Sequence, residues 1–318
     1  MNSSRKLSAR LAAIFLGLGL IVSSADPSGA AGSTTTSPAT GSSTTTSATS
    51  TSTSTTSTST TTTVHSPPLA PRNPWTYGPI ASFLRTRTDD LTGGIYDLRT
   101  RRTYLYRPSH PEVTASMVKI DILADLLYEA QRARRSLSPA ELALATSMIE
   151  YSDNNAAQKL WNDIGGFGLS SRLSGTGGYY AISSFNHLLG FTQTITNWGW
   201  GLMRTTPADY LKLLRAITEP NSILDPSSRA LINSLMYRVT PSQRFGLGDL
   251  PSEVKVELKN GWYPEPTGWQ VNTCGLTSYR STDYLAVIMT AQNPDETYAI
   301  STVNDLAGLL FTYEQHHS

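Results

Sequence analysis

The sequence predicts an α+β fold: one antiparallel sheet built from both ends of the folded region, with helices supplied by the middle. Three observations carry that expectation. Two strand-like runs, Gly93–Leu98 and Arg102–Arg107, are joined by a tight turn and read as a hairpin. Three more runs, Val254–Leu258, Trp269–Thr277 and Tyr284–Thr290, gather near the C-terminus. Between them, apolar residues recur at helical spacing, as at Val118, Ile122, Leu123, Leu126 and Leu127. The hairpin and the late strands are expected to share one five-stranded sheet.

Taken in order, the chain opens with Arg5, Lys6 and Arg10 ahead of an apolar run, Leu11–Val22, and the small residues Ser23, Ser24 and Ala25. That is the pattern of an export signal, assigned to residues 1–31. The run is short for a membrane span, although an uncleaved signal could still anchor the chain. Residues 32–72 form a Ser/Thr/Pro-rich spacer with nothing to bury, expected to be disordered. The folded domain is expected over residues 73–318. It begins with an amphipathic helix near Pro79–Arg87, and further helices are expected over Met117–Ala130, Asn154–Ile164, Pro207–Ile217 and Ile300–Tyr313. Ser138-Pro139-Ala140-Glu141 starts another, with serine at the N-cap, proline at N1 and an acid at N3.

Composition excludes several classes of function. The 318 residues carry a net charge of +1 with no basic stripe, so no nucleic-acid partner is expected. The single cysteine, Cys274, permits no intrachain disulfide and reads as a small buried hydrophobe. Five histidines include no H-E-x-x-H pair, and neither a metal nor a cofactor is called for. No G-x-S-x-G elbow is present, which disfavours a Ser-His-Asp hydrolase.

Three short motifs carry chemistry. Ser116-Met117-Val118-Lys119 is an S-x-x-K; if Ser116 begins a helix, the spacing puts both side chains on one face. A serine hydroxyl needs a base to take its proton, and a lysine of lowered pKa can do so. Ser152-Asp153-Asn154, taken alone, reads first as a helix cap, and alternatively as a proton relay (Ser152) beside a ligand for a substrate amide (Asn154). Lys259-Asn260-Gly261 follows the run Val254–Leu258; a lysine at a strand end is ordinarily solvated, but here it could polarise Ser152 and attract a carboxylate.

In this order the three motifs resemble those of the class A β-lactamase family, the penicillin-recognising serine enzymes, over about Pro79–Tyr313. The likeness extends to Leu137–Gly166, to Phe185–Gly190 and to Arg204-Thr205-Thr206-Pro207, which are similar to segments around the family's S-D-N and Ω-loops. The resemblance implies a β-lactamase/transpeptidase-like fold with an all-helical subdomain. It implies Ser116 as nucleophile, Lys119 as base, Ser152 as proton relay and Lys259 as electrostatic partner. Asn154, Asn260, Gly261 and Trp262 would bind substrate, the last two bordering the oxyanion hole. The expected partner is a small-molecule β-lactam or a peptidoglycan-type peptide, met by a secreted or wall-associated monomer.

Four departures qualify that implication. Class A enzymes carry an Ω-loop glutamate that activates the deacylating water, yet no acidic residue lies between Asp163 and Asp209. The Ω-loop, Thr192–Met203, is short and aromatic, with Trp198 and Trp200. Ser116 and Ser152 are closer in sequence than is usual, which implies a more open site. Asn260 stands where the family has a hydroxyl, and the strand after Lys259 lacks the arginine often kept for the substrate carboxylate, Arg280 lying beyond it. The expectation is therefore an acyl-enzyme with slow deacylation. A penicillin-binding or wall-binding module with little turnover is the second reading, and an inert domain on a surface spacer the third.

Overall fold

The computed structural model describes residues 73–87, 90–164 and 178–317. The expected signal and spacer, residues 1–72, and the Gly165-Gly166 end of the family-like segment lie outside the described residues. No helix of the described residues is long and apolar enough to cross a membrane.

The sheet is the one expected. Its strands are β1 (Asp90–Asp97), β2 (Arg102–Tyr106), β5 (Lys255–Glu265), β6 (Gly268–Tyr279) and β7 (Thr282–Asn293), in the order β2-β1-β7-β6-β5, all pairs antiparallel. A second, two-stranded ladder pairs β3 (Glu112–Val113) with β4 (Arg204–Thr205). Successive residues of a strand face opposite sides of the sheet. Gly93 and Gly94 show both sides pressed close: a Cβ on Gly93 would strike the Trp75 ring, and one on Gly94 would lie 2.9 Å from Leu211 Cδ1. The first face takes Trp75, then α1 (Gly78–Arg85) and α8 (Glu296–His317); the second takes α6 (Pro207–Thr218).

The helical part comprises α2 (Lys119–Arg132), α3 (Pro139–Glu150), α4 (Asn154–Ile164), α5 (Tyr179–Leu188) and α7 (Pro226–Tyr237). The capping box at Ser138 forms as read, with Glu141 N donating to Ser138 Oγ at 3.2 Å and Ser138 N to Glu141 Oε2 at 2.7 Å. Two helices were not expected from the sequence. The α7 start carries a signal that could have shown it, Asp225 followed by Pro226 at N1. The α5 helix follows glycine with no side-chain cap.

One correction bears on the site. Lys259-Asn260-Gly261 does not end a strand but sits in the middle of β5, with Lys259 opposite Cys274 and Gly261 opposite Asn272. Continuous pairing with β6 carries β5 through the polar and glycine positions that break its apolar pattern. Lys259 is consequently buried, not a solvated strand-end charge.

Candidate active site

Ser116 lies on a 3₁₀ turn, Ala115–Val118, that runs directly into α2. The chain enters it through Ala115 at φ +46°, a left-handed conformation that alanine adopts only when its surroundings hold it there. Several bonds do so. Thr114 N donates to Met203 O (2.8 Å), Tyr210 Oη to Met117 O (2.5 Å), and Asn272 Nδ2 to Val113 O (2.8 Å). Tyr210 and Asn272 are buried braces that the motif reading missed, because they belong to none of the three patterns. Ser116 itself stays partly exposed, and its hydroxyl has no hydrogen-bond partner among the described residues.

The three motifs converge on Ser152. Lys119 Nζ donates to Ser152 Oγ (2.9 Å), Ser152 O (2.5 Å) and Asn154 Oδ1 (2.8 Å), and Lys259 Nζ donates to Ser152 Oγ (3.1 Å) and Asn260 O (3.0 Å). Ser152 reaches this position at φ +55°. The middle residue of the motif does the capping: Asp153 Oδ1 accepts from Asn155 N (2.7 Å) and Ala156 N (3.0 Å) at the head of α4. In the S-D-N segment Asp153 makes the cap, while Ser152 and Asn154 contact the lysines.

Both lysines are fully buried. Burial, then the charge of Lys259, hold the Lys119 ammonium well below the ordinary lysine range, with Asp153 opposing. Burial likewise lowers Lys259, to about 7. Two ammonium groups around one hydroxyl, shielded from water, favour loss of a proton from the pair.

The edge strand β5 closes the other side. A Cβ on Gly261 would lie 2.6 Å from Thr114 O and 2.8 Å from Ser116 N, so only glycine lets the strand approach the turn this closely. Val256 O accepts from Arg244 and Asn260 O from Lys259, which puts the even-numbered backbone groups of β5 on its open side. The N–H of Trp262 therefore lies on that open side as well. Asn260 is a correction. Its side chain is buried and donates to Gln243 O and Phe245 O, both at 2.8 Å, so its amide braces a neighbouring segment and is not free to bind substrate. A polar side chain at an alternating strand position points away from the one carried by Lys259. Arg280 sits at the β6–β7 turn over the Tyr279 ring and is no part of the site.

The Ω-loop brings an indole where a carboxylate would be expected. The Trp200 ring lies 5.1 Å from Lys119 Nζ, and its Nε1 donates to Gln158 Oε1 at 3.2 Å. The acid that follows the loop, Asp209, is buried and committed to holding it, accepting from Thr192 N, Gln193 N, Thr194 Oγ1 and Lys212 Nζ. A cavity of about 640 Å³ beside the start of β5, between Tyr237, Arg244 and Lys255, shares no residue with this group.

Residues 140–313 match the model of the beta-lactamase enzyme family, a span that contains Ser152, Asn154 and Lys259 but begins after Ser116 and Lys119. Among curated proteins, "Putative lipoprotein LppW" of Mycobacterium tuberculosis is 23% identical over 249 residues, covering 74% of this chain and 76% of its own. Among solved structures, a beta-lactamase from Chitinophaga pinensis aligns with a TM-score of 0.62 at 14% identity, over 73% of this chain and 96% of its own. A class A beta-lactamase of the last common ancestor of Gram-negative bacteria, in variant form, gives 0.62 at 17% identity over 76% and 98%.

Proposed function

This chain belongs to the beta-lactamase enzyme family, and from that premise we propose that it is an exported serine acyl-transfer enzyme, acting through a Ser116 acyl-enzyme that it releases slowly. Its substrates are β-lactam or acyl-D-alanyl amide and ester bonds. The observation that carries the reading is the shared Ser152 hydroxyl, held by Lys119 at 2.9 Å and Lys259 at 3.1 Å with Asn154 closing the group. Neutral Lys119 takes the proton of Ser116 Oγ as that oxygen bonds to the substrate carbonyl carbon. The N–H groups of Ser116 and Trp262 receive the developing oxyanion. Ser152 passes a proton to the departing nitrogen as its bond to carbon breaks, and the lysines restore that proton. Asn154 binds the substrate amide, Gly261 keeps the oxyanion site narrow, and charged Lys259 draws the substrate carboxylate.

Hydrolysis of the ester then needs a base for water, and Trp200 stands beside Lys119 with no acid in residues 192–203. The same observation favours the second reading, a penicillin-binding or wall-binding module with little turnover. We place the domain outside the cytoplasm, through a signal in residues 1–31 and a spacer in residues 32–72, as a monomer released, held at the wall or anchored by an uncleaved signal. The naming of its relatives as lipoproteins supports that side of the membrane. The test is intact mass of the full chain over time after a fluorescent penicillin is added. One persistent adduct is expected, absent in Ser116→Ala. Undiminished labelling of that variant overturns the nucleophile, and rapid return to the unmodified mass overturns slow release.

A further inference from the structure

Away from the serine, three side chains meet where β1 begins and β3 leads toward the nucleophile. We propose that Asp90, His110 and Glu112 bind a divalent cation of the zinc type, which ties β1 to the strand four residues ahead of Ser116. One ligand atom from each of the three lies within 4.8 Å of the others. His110 Nε2 is 3.1 Å from Glu112 Oε1 and 3.7 Å from Asp90 Oδ2. The opposite oxygens are held from outside: Arg107 Nη2 is 2.9 Å from Asp90 Oδ1, and Arg204 Nη2 is 3.6 Å from Glu112 Oε2. Each carboxylate thus turns one oxygen inward and anchors the other, the arrangement that outer partners impose on metal ligands. Gln292 Nε2 also donates to Asp90 Oδ2 at 2.5 Å, an oxygen that keeps a second lone pair for a cation.

Glu112 supplies an independent observation. It is 2% exposed, and its inward Oε1 has no hydrogen-bond partner, since His110 is near that oxygen without donating to it. A carboxylate oxygen shut away from water and unpaired is costly. A cation drawing on Oε1, Oδ2 and the lone pair of a neutral imidazole Nε2 removes that cost, and one nitrogen with two carboxylate oxygens is a zinc-type donor set. The three ligands come from β1 and an H-x-E segment, which is why a search for H-E-x-x-H passes over them.

The site stands apart from the reaction at Ser116, and its test reads metal, not acylation. The full chain carries His316→Ala and His317→Ala, so that the terminal histidines contribute nothing, and Zn²⁺ alone is titrated by calorimetry and by thermal unfolding after chelator treatment. One equivalent is expected to bind and to raise the Tm with zinc concentration. His110→Ala, at a half-exposed position that should leave the fold intact, and Glu112→Gln are each expected to weaken binding by more than about 100-fold, beyond what loss of an outer partner costs. Ser116→Ala should bind zinc unchanged. Equal binding by the His110→Ala protein, or no saturable binding at all, overturns the site. So does a Tm that responds to protonation of His110 but not to zinc, because the imidazolium would then be the cation between the carboxylates.

Discussion

Lys119 and Asp121 sit two residues apart on α2, both fully buried, and the protein treats them in opposite ways. Lys119 faces the cleft side, its Nζ within hydrogen-bond distance of Ser152 O, Ser152 Oγ and Asn154 Oδ1. Asp121 faces the interior beside the Asn186 side chain, and one turn on, Asp125 has Oδ2 unpartnered. Burial pushes Asp121 up to about 8, with Asn186 opposing, and pushes Asp125 well above the carboxylate range, helped by Glu129 and Asp121. Both regions suppress charge by excluding water. At the cleft this disfavours the ammonium form of a lysine beside a serine. Behind it, burial disfavours the ionised form of two acids, and the cost falls on stability.

Breaking the first half of that comparison should have the largest effect. Lys119→Ala is expected to slow acylation by about 10²–10⁴-fold, or about 3–5 kcal/mol of barrier, in stopped-flow experiments with a chromogenic cephalosporin. Asp121→Asn should leave that rate in place. If Asp121→Asn slows acylation as Lys119→Ala does, the acid belongs to the site and the contrast fails.

The second half predicts a gain. A carboxyl that must stay protonated to be buried destabilises the fold at any pH above its unfolded value of 3.8. The stability it withholds is lost progressively as pH rises to about 8, so the neutral isostere should stabilise the protein at pH 7 by up to about 4 kcal/mol in urea unfolding. A less stable Asp121→Asn protein would show that the acid has a partner it needs.

Lys259 sharpens the comparison because its sign is reversed. Its folded value is lowered from 10.5 to about 7, so the wild type should gain stability relative to Lys259→Met as pH climbs through that window. Acylation should move the other way above about 7, as the charge that draws the substrate carboxylate is lost. Parallel pH profiles for rate and relative stability would remove Lys259 from the reaction. The smallest effect is expected at Asn260. Asn260→Ala leaves two backbone carbonyls without donors and should cost about 1–3 kcal/mol of stability, with the acylation rate of the folded protein retained. A selective rise in KM would restore it as a substrate ligand.

Much of this was legible in the sequence, for reasons that also explain the gaps. The hairpin at Arg102 and the helix start at Ser138 are local devices, and local patterns reveal them. The S-x-x-K and S-D-N pairs became informative only through their order along the chain. The extent of β5 was not legible, because Lys259, Asn260 and Gly261 break its apolar pattern while cross-strand pairing maintains the strand. The work of Asn272 and Tyr210 was hidden for a similar reason: each is an ordinary residue in its own element, and its partner at the Ser116 turn is distant in sequence. Asn260 was misread because strand alternation, not motif position, decides where its amide points.

The place of β5 at the margin of the sheet has a further consequence. An open strand margin offers unpaired N–H and C=O groups to any other strand, and soluble proteins must cover or blunt it. Here Arg244 occupies Val256 O, Asn260 holds the Gln243–Phe245 segment alongside, and the turn bearing Ser116 rests on Gly261. The turn that carries Ser116 is therefore also part of what keeps neighbouring molecules from adding to the sheet. A side chain that lifted the turn, as in Gly261→Val, would expose a strand ready to recruit copies of itself, so lost activity and self-association would arrive as one phenotype.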